Sequence, residues 1–449
     1  MKKNLLEIII KIIFIGILFY ILYRSEIVWS GEQRNFYLKY FILFLIINII
    51  IFTYYKVSEV NKKILKINFY SILFIIYFFE LSLNLINLNN KNSINYKSEL
   101  LKKEGKIFDT RKKLEVYDFL KEDFPNTKLY IPPSNYKFVQ NIEIFPLSGI
   151  SNTKTLYCNE NGYWFNYDSD RYGFNNPDEE WNKSSIDFFL IGDSLTMGAC
   201  VNRPFDTASQ IRKIYDKSVI NLGMGGNGPL MEFASLKEYL APNTKNVIWI
   251  YSEANDNFEL ALELKNPILN KYMNDNNFNQ NLIDKVEEID EISEILQKKE
   301  ISNQNKDKIR DESLKYKILK FIQLKNIKKF FNFKTPKVSF ESSPPNEFQK
   351  ILKKAEEASK KNNSKFYFVY LPRFERYSID NFKDENYLKI ISIVNSLGIK
   401  LIDFKAVLDN EQKPLSYFPF GMWGHYNEKG YKLVADAIFS KVQMIEKNP

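Results

Sequence analysis

The first 88 residues consist of long apolar runs separated by short polar loops, and in this they differ from the rest of the chain. The runs extend over residues 8–23, 37–54 and 69–87. Each run reaches or nearly reaches the roughly 20 residues that an α-helix needs to cross a bilayer. We therefore predict three transmembrane helices within residues 1–90. Because Lys11 lies inside the first run, a long signal peptide or anchor is a competing interpretation, although no small-residue cleavage site precedes Arg24.

Charged residues beside these runs predict the orientation of the segment. Lys2 and Lys3 precede the first run, and four lysines lie between residues 56 and 66, in the second loop. By the positive-inside rule the N-terminus and the second loop face the cytoplasm, so the remainder of the chain lies outside it. Glu80 falls within the third run, and we expect it near the outer end of that helix or facing the other helices.

Beyond residue 185 the pattern changes to short apolar runs that alternate with helical periodicity. The runs typical of strands are 186–191, 218–221, 246–251, 365–372 and 399–404. Helical patterns such as Met231–Tyr239 and Asn386–Leu397 separate them, which indicates an α/β domain with a doubly wound parallel sheet over residues 186–449. Residues 91–185 form a lead-in segment outside the membrane.

The interval from about residue 258 to 364 is too long for a simple crossover between two strands. It predicts an inserted helical subdomain, rich in Lys and Glu over 283–300 and basic and aromatic over Leu319–Phe333. The second stretch has the composition of an amphipathic helix that touches the membrane or covers a site. A plain solvated helix is the alternative interpretation.

Polar residues and glycines follow three of the predicted strands, where the sites of parallel α/β sheets lie. Ser194 ends a Gly-Asp-Ser triplet after the first strand, a glycine-rich stretch over 221–229 follows the second, and Asn255 follows the third. A hydroxyl at a helix N-terminus meets backbone N–H groups that favour negative charge, as acyl transfer requires. The chain has one histidine, His425, so any imidazole base must be that residue.

These blocks, in this order, resemble the SGNH or GDSL hydrolase superfamily. Its marks are a Gly-Asp-Ser block, a glycine, an Asn-Asp block and a histidine block, here His425-x-Asn-x-x-Gly, and the resemblance covers residues 186–445. The preceding block Asp170–Asn176 resembles the lead-in of bacterial membrane-anchored members. The resemblance implies a flavodoxin-like, three-layer SGNH hydrolase domain.

The resemblance also implies a role for each marked residue. Ser194 would be the nucleophile and His425 its general base. The backbone N–H groups of Ser194 and Gly226, together with the side-chain amide of Asn255, would form an oxyanion hole that stabilises the tetrahedral intermediate.

The sequence departs from the superfamily pattern at two positions. Glu253 stands where the Asn-Asp block usually begins with glycine, and Met422 stands where an acid usually precedes the histidine by three residues. The imidazole of His425 must then be oriented by a backbone carbonyl, by a more distant acid or by no partner. Asp403 ends a predicted strand on the side of the site, so it is the candidate third acid.

The two cysteines, Cys158 and Cys200, suit an oxidising compartment, where they would form a disulfide. Two buried thiols are the alternative. No residues show metal-ligand spacing, and no phosphate-binding or dinucleotide fingerprint occurs, so we predict neither a metal nor a cofactor. The net charge is +9, but lysines and glutamates are interspersed and no nucleic-acid module is recognisable, which argues against a nucleic-acid partner.

Together these features predict a multi-pass protein of the cytoplasmic membrane with an extracytoplasmic or periplasmic serine esterase domain. The expected substrate is an acyl ester of a surface glycan or a lipid-linked sugar, which the domain would deacylate or, as an O-acyltransferase, would acylate. Three helices are few for moving an acyl donor across the bilayer, so a transferase would need a membrane partner. The alternatives are a catalytically inactive module that binds glycan or scaffolds an envelope complex, and a membrane structural protein.

Overall fold

The computed structural model of the chain describes residues 2–28, 31, 34–54, 58–89, 92–138, 143–330 and 344–447. The chain divides into two compact units. One consists of Met1–Lys91 with Arg310–Val338, and the other of Asn92–Ile309 with Ser339–Pro449. The lead-in segment therefore belongs to the same unit as the strands that follow it.

The strands of the described residues are β1 (Lys128–Leu129), β2 (Lys154–Leu156), β3 (Asn166–Asp168), β4 (Ile186–Gly192), β5 (Val219–Asn221), β6 (Thr244–Ser252), β7 (Lys365–Leu371) and β8 (Lys400–Asp403). The α-helices are α1 (Lys2–Tyr23), α2 (Arg34–Tyr54), α3 (Glu59–Asn89), α4 (Asn92–Lys103), α5 (Lys113–Asp123), α6 (Ser194–Met197), α7 (Thr207–Tyr215), α8 (Pro229–Tyr239), α9 (Asp256–Glu263), α10 (Pro267–Asn274), α11 (Val286–Glu312), α12 (Leu314–Ile322), α13 (Lys325–Phe330), α14 (Glu347–Lys361), α15 (Glu375–Ser378), α16 (Glu385–Ser396), α17 (Phe404–Asp409) and α18 (Glu428–Lys447).

The larger sheet has five parallel strands in the order β5-β4-β6-β7-β8. Counted along the chain within this sheet, the order is 2-1-3-4-5, which is that of flavodoxin-like doubly wound folds. Phe189 of β4 lies opposite Ile220 of β5 and Val247 of β6. The predicted α/β fold with a parallel sheet is confirmed, and all five strands begin and end within two residues of their predicted bounds.

Both faces of this sheet are covered, because successive side chains of a strand point to opposite faces. On one face, Phe189 and Trp249 join a core that includes α8, α14 and part of the lead-in segment. On the other face, Leu190 and Ile248 join a core that includes α7 and α18. Burial on both sides explains why the strands are nearly continuous apolar runs in the sequence.

A smaller sheet of β1, β2 and β3 lies in the lead-in segment. The connection from β2 to β3 is a hairpin loop over residues 157–165. Its base is closed by two backbone hydrogen bonds, from Tyr157 N–H to the Phe165 carbonyl (2.9 Å) and from Phe165 N–H to the Cys158 carbonyl (2.7 Å).

The interval 258–364 is not one subdomain. Leu260 of α9, Leu269 of α10 and Leu352 of α14 belong to the same core as Phe189. Helix α14 lies beside β7, which it precedes, and so serves as its crossover helix. Only Arg310–Val338, with α12 and α13, belongs to the other unit.

The N-terminal unit contains α1, α2 and α3, which coincide with the three apolar runs. Within the residues that the structure describes, one helical stretch, Lys63–Ile86 of α3, has the length and mean hydropathy (1.8) to cross a membrane. Helix α2 contains a shorter apolar stretch, Phe36–Ile49. The three membrane crossings stay a prediction.

Candidate active site

Ser194 lies at the sharp turn between β4 and the short helix α6. Asp193 caps this helix, since its carboxylate accepts a hydrogen bond from the Leu195 N–H at 2.8 Å. Gly198 ends the helix in the left-handed conformation, with φ +77°. The turn holds the Ser194 side chain at the carboxyl end of β4, and the residue is 8% exposed.

Two asparagines hold the carbonyl groups of this turn. The Asn175 side chain donates to the Met197 carbonyl at 3.1 Å, and the Asn221 side chain donates to the Thr196 carbonyl at 2.8 Å. Asn175 belongs to the lead-in block Asp170–Asn176, so this block contacts the nucleophile turn directly. The turn is therefore fixed from both the lead-in segment and the end of β5.

His425 precedes the last helix, α18, and its Nε2 lies 2.9 Å from the Ser194 Oγ. The surrounding sequence block has a structural reason. The Asn427 side chain accepts from the Gly430 N–H at 3.0 Å, and a Cβ at Gly430 would lie 2.6 Å from the Tyr417 carbonyl oxygen. The Asn-x-x-Gly part of the block thus begins α18 and orients the loop that carries the histidine.

Glu160 is the acid beside His425. Its Oε1 lies 3.0 Å from the imidazole Nδ1, and its Oε2 accepts the backbone N–H of His425 at 2.7 Å. With Nδ1 protonated, Nε2 is free to accept the Ser194 proton. Serine, histidine and glutamate thus form the continuous hydrogen-bonded chain of a serine triad.

The expectation that Asp403 supplies the acid is corrected by this arrangement. The Asp403 carboxylate accepts from the Tyr387 hydroxyl at 2.6 Å and from the Ala406 N–H, which caps α17. Asp403 is therefore a local structural residue. Of the three alternatives for orienting His425, a distant acid is the one observed, but it is Glu160.

A disulfide joins Cys158 to Cys200, with their Cα atoms 5.3 Å apart. The bond attaches the hairpin loop that carries Glu160 to the segment six residues after Ser194. The Asn161 side chain adds a hydrogen bond to the Cys200 carbonyl at 3.0 Å. Sequence reasoning missed Glu160, although the signal was available, because a Cys158–Cys200 pair places residue 160 near the nucleophile turn.

A glycine permits the close approach of the acid. A Cβ at Gly424 would lie 2.6 Å from the Oε2 of Glu160. The carboxylate occupies the space that any other side chain at position 424 would fill. Gly424, directly before His425, therefore leaves the space that the Glu160 carboxylate needs.

Burial and hydrogen bonding act in opposite directions on the pKa values of this pair. Burial lowers the pKa of His425, but the hydrogen bond and negative charge of Glu160 outweigh it, and the pKa is raised above the usual 6.5. Burial raises the pKa of Glu160, but the hydrogen bond and charge of His425 outweigh it, so this pKa is lowered. The pair therefore favours a carboxylate next to an imidazole that readily accepts a proton.

The expected oxyanion donors lie at the ends of β4, β5 and β6. Within the described chain, the backbone N–H groups of Ser194 and Gly226 donate to no protein acceptor. Gly226 has φ +81°, and a Cβ on its neighbour Gly225 would lie 3.5 Å from the Ser194 Cβ. Glycines at 225 and 226 keep the backbone beside Ser194 free of side chains, as an oxyanion hole requires.

The Asn255 side chain is oriented by Ser252, whose hydroxyl donates to the Asn255 Oδ1 at 2.9 Å. The amide NH₂ of Asn255 is then its remaining donor. Burial raises the pKa of Asp193, and hydrogen bonds from Ser252 and Asn255 are among the interactions that oppose this rise. Asn255 therefore lies beside the nucleophile turn.

Glu253, at a position where the resemblance implies glycine, has a partner in Arg376. The Arg376 Nε donates to the Glu253 Oε2 at 2.9 Å, and both side chains are buried, 5% and 7% exposed. The backbone N–H of Arg373 donates to the same carboxylate at 3.1 Å. The departure from the superfamily pattern thus connects the end of β6 to the segment after β7.

Glu160, Cys200 and His425 are the one group of potential metal ligands that lie together in the described part of the chain, within 4.8 Å. Their chemistry does not suit a metal ion. The Cys200 sulfur is held in the disulfide, and the carboxylate and imidazole are bonded to each other.

No protein-family profile matches this chain, and no curated protein matches its sequence. Solved structures show low similarity. A protein assigned to the lipolytic G-D-S-L family of Desulfitobacterium hafniense DCB-2 is 14% identical, with a TM-score of 0.32 over 57% of this chain and 99% of that one. A Bacillus subtilis protein is 11% identical, with a TM-score of 0.31 over 64% and 63% of the two chains. A variant of a Geobacillus acetyl-xylooligosaccharide esterase is 13% identical, with a TM-score of 0.30 over 58% and 94%.

Proposed function

We propose that this protein is a membrane-anchored serine esterase whose catalytic unit acts outside the cytoplasm. The observation that carries the proposal is the hydrogen-bonded chain Ser194–His425–Glu160, with distances of 2.9 and 3.0 Å between successive partners. The hydrogen-bonded chain begins at Ser194, at the carboxyl edge of the parallel sheet. This position lies between β4 and β6, where the strand order reverses. That edge is where doubly wound folds bind their ligands.

The geometry supports an acyl-enzyme mechanism. His425 Nε2 accepts the hydroxyl proton as the Ser194 Oγ attacks the ester carbonyl carbon, and the carbonyl electron pair moves to oxygen. The oxyanion meets the N–H groups of Ser194 and Gly226 and the amide of Asn255. Collapse expels the alcohol, which takes the proton from His425. A water molecule then repeats the sequence and releases the carboxylic acid.

Glu160 contributes through the histidine. It keeps the proton of the neutral imidazole on Nδ1, and its negative charge stabilises the imidazolium that forms when Ser194 loses its proton. A histidine without an acid partner would favour the alternative of a catalytically inactive module, and Glu160 supplies that partner.

Two features support the location. Helix α3 contains a stretch with the length and hydropathy of a membrane span, and the Cys158–Cys200 disulfide suits an oxidising compartment. Beside a membrane that carries surface polymers, we infer that the substrate is an acyl ester of a surface glycan or a lipid-linked sugar. Transfer to a second hydroxyl instead of water uses the same acyl-enzyme, and a membrane partner would supply the acyl donor.

Covalent labelling of the full-length protein in nanodiscs tests the proposal. A fluorophosphonate probe should label the wild type and Ser209→Ala, a serine variant on α7, but not Ser194→Ala. Acetate release from envelope glycans and from a simple aryl acetate then defines the substrate. Absence of labelling in folded wild-type protein, or equal labelling of Ser194→Ala, would refute the esterase assignment.

A further inference from the structure

Glu80 of α3 is a fully buried carboxylate inside the candidate membrane span Lys63–Ile86. It accepts hydrogen bonds from the backbone N–H groups of Asn326 (2.9 Å) and Ile327 (2.8 Å) and from the Asn326 side chain (2.9 Å). A carboxylate within a span is costly unless protein groups satisfy it. The beginning of α13 therefore lies at the depth of Glu80 along α3.

Three more contacts place α12 and α13 along the same helix. The Tyr77 hydroxyl donates to the Ile322 carbonyl at 3.2 Å, and the Tyr77 ring lies 5.5 Å from that of Phe321. The Phe79 ring lies 5.6 Å from that of Phe330. At about 1.5 Å per residue, Tyr77 lies roughly 14 Å inside the Ile86 end of the span. The contacts thus fall within the span and not beyond it.

The rest of this helical pair is exposed and has the chemistry of a bilayer surface. None of the α12 residues is buried, and Leu314, Ile318 and Ile322, which share one face, are 72%, 49% and 55% exposed. Residues 313–330 contain no acidic side chain and six lysines, namely Lys315, Lys317, Lys320, Lys325, Lys328 and Lys329. Apolar side chains with flanking lysines are typical of helices that lie in a membrane interface.

We propose that α12 and α13 form an interfacial membrane element, inserted into the leaflet next to the Ile86 end of α3. Their apolar side chains contact lipid acyl chains, and their lysines contact anionic headgroups. The inference rests on the proposed membrane anchoring of the protein. It means that the chain returns to the bilayer where Asn326 meets Glu80, 246 residues later in the sequence, so the catalytic unit is anchored both before Asn92 and between Ile309 and Ser339.

The observations favour a lipid bilayer, and not water or a protein partner, as the surroundings of the exposed apolar face of α12. The exposed apolar face begins where α12 leaves the Tyr77 ring of a membrane-spanning stretch, so lipid around α3 would meet this face as well. The excess of six positive charges complements an anionic lipid surface.

Single labels on the full-length protein test the proposal. The two native cysteines are bonded to each other, so a cysteine at Ile318→Cys, or at the more exposed Leu314→Cys, can be labelled with the polarity-sensitive dye NBD. Lys317→Cys, at the edge of this apolar face, is the control within the same helix. In nanodiscs containing anionic lipid, the labels at 314 and 318 should fluoresce further to the blue than the control, and nitroxide-bearing acyl chains should quench them more strongly.

Each other outcome overturns the proposal. Labels at 314 and 318 with the same emission as the Lys317 label would show a solvated helix. Blue emission without quenching by nitroxide lipid would show a protein partner or a lid. Fluorophosphonate labelling of Ser194 in the same samples separates the two hypotheses, because a reactive serine with water-exposed labels refutes only the interfacial element, and an unreactive serine with quenched labels refutes only the esterase.

Discussion

Glutamine at position 160 would preserve the size of the side chain but remove its charge and one hydrogen-bond acceptor. Glu160 accepts one hydrogen bond from the His425 ring at 3.0 Å and another from its backbone N–H at 2.7 Å. The single oxygen of glutamine can serve only one of these donors. If it stays on the backbone N–H, the amide NH₂ faces Nδ1 and favours the tautomer protonated at Nε2. That tautomer cannot accept the Ser194 proton.

We expect Glu160→Gln to lower kcat by about ten-thousand-fold, the loss measured when the acid of another serine triad is amidated. At about 1.36 kcal/mol for each factor of ten, this corresponds to roughly 5 kcal/mol of lost transition-state stabilisation. A loss of this size fits the structure, because the wrong tautomer and the missing charge beside the imidazolium both follow from one substitution.

The same substitution should shift the pH dependence of kcat/KM. In the proposed mechanism the general base is neutral imidazole, so activity rises as pH increases through the pKa of His425 in the free enzyme. In the wild type this pKa is raised above 6.5 by Glu160 in spite of burial. Glutamine removes the raising interaction and leaves the burial, so the acid limb of the residual activity should move to lower pH.

Steady-state hydrolysis of an aryl acetate over a range of pH, with circular dichroism as a check on folding, measures both effects. Asp403→Asn is the matched control, because it amidates an acid that bonds to Tyr387 and not to His425, and it should leave kcat nearly unchanged. Residual activity of Glu160→Gln within about tenfold of the wild type, or loss of turnover in folded Asp403→Asn, would refute the assignment of the acid.

Three further predictions concern the surroundings of this pair. Gly424→Ala should fold with little change in thermal unfolding, because the Glu160 side chain can move. It should lower kcat, since the new Cβ would lie 2.6 Å from the Glu160 carboxylate. Wild-type activity of this variant would contradict the argument from crowding. The double variant Cys158→Ser, Cys200→Ser should have a lower kcat and a lower Tm than the wild type. The disulfide raises the free energy of the unfolded chain by about 4 kcal/mol, and it also holds the loop that carries Glu160. Mass spectrometry after alkylation checks that the wild type contains the disulfide. Asn255→Ala should lower kcat by about a hundred- to a thousand-fold with a smaller effect on KM, and an unchanged kcat would remove Asn255 from the oxyanion hole.

The strands and the polar residues at their ends could be predicted because both depend on local sequence. Continuous apolar runs mark strands that are buried on both faces, and the glycines and polar residues after them mark the turns. Parallel strands bring their carboxyl ends to one edge, so the sequence predicts that Ser194 and Asn255 lie together. His425 is predicted to join them because it is the chain's one imidazole.

Glu160 follows none of the predicted strands, so the same reasoning does not find it; its one signal is the neighbouring Cys158, and only if that cysteine pairs with Cys200. Glu160 lies in a hairpin loop 265 residues before His425, and its position depends on how the lead-in segment packs against the sheet. The division of the interval 258–364 between the two units could not be predicted for a similar reason. Its helices α9, α10 and α14 have apolar faces that fit either a separate subdomain or the sheet, and only tertiary packing distinguishes the two.

The origin of the acid changes what keeps the site aligned. In the arrangement that the superfamily resemblance implies, acid and histidine are three residues apart, so one loop positions both. Here the acid is positioned relative to the nucleophile, because Cys200 follows Ser194 by six residues and is bonded to Cys158, two residues before Glu160. The histidine loop meets a carboxylate that a different part of the chain carries.

The position of the acid outside the histidine loop explains two otherwise unrelated features of the sequence. Gly424 leaves room for a carboxylate that arrives from outside the histidine loop, and Met422 is free to replace the usual acid because the Nδ1 position of His425 is already filled. Disturbing the hairpin loop would separate Glu160 from His425 while leaving the parallel sheet and Ser194 in place. Activity should therefore be more sensitive than the fold to a change confined to the hairpin loop over residues 157–165.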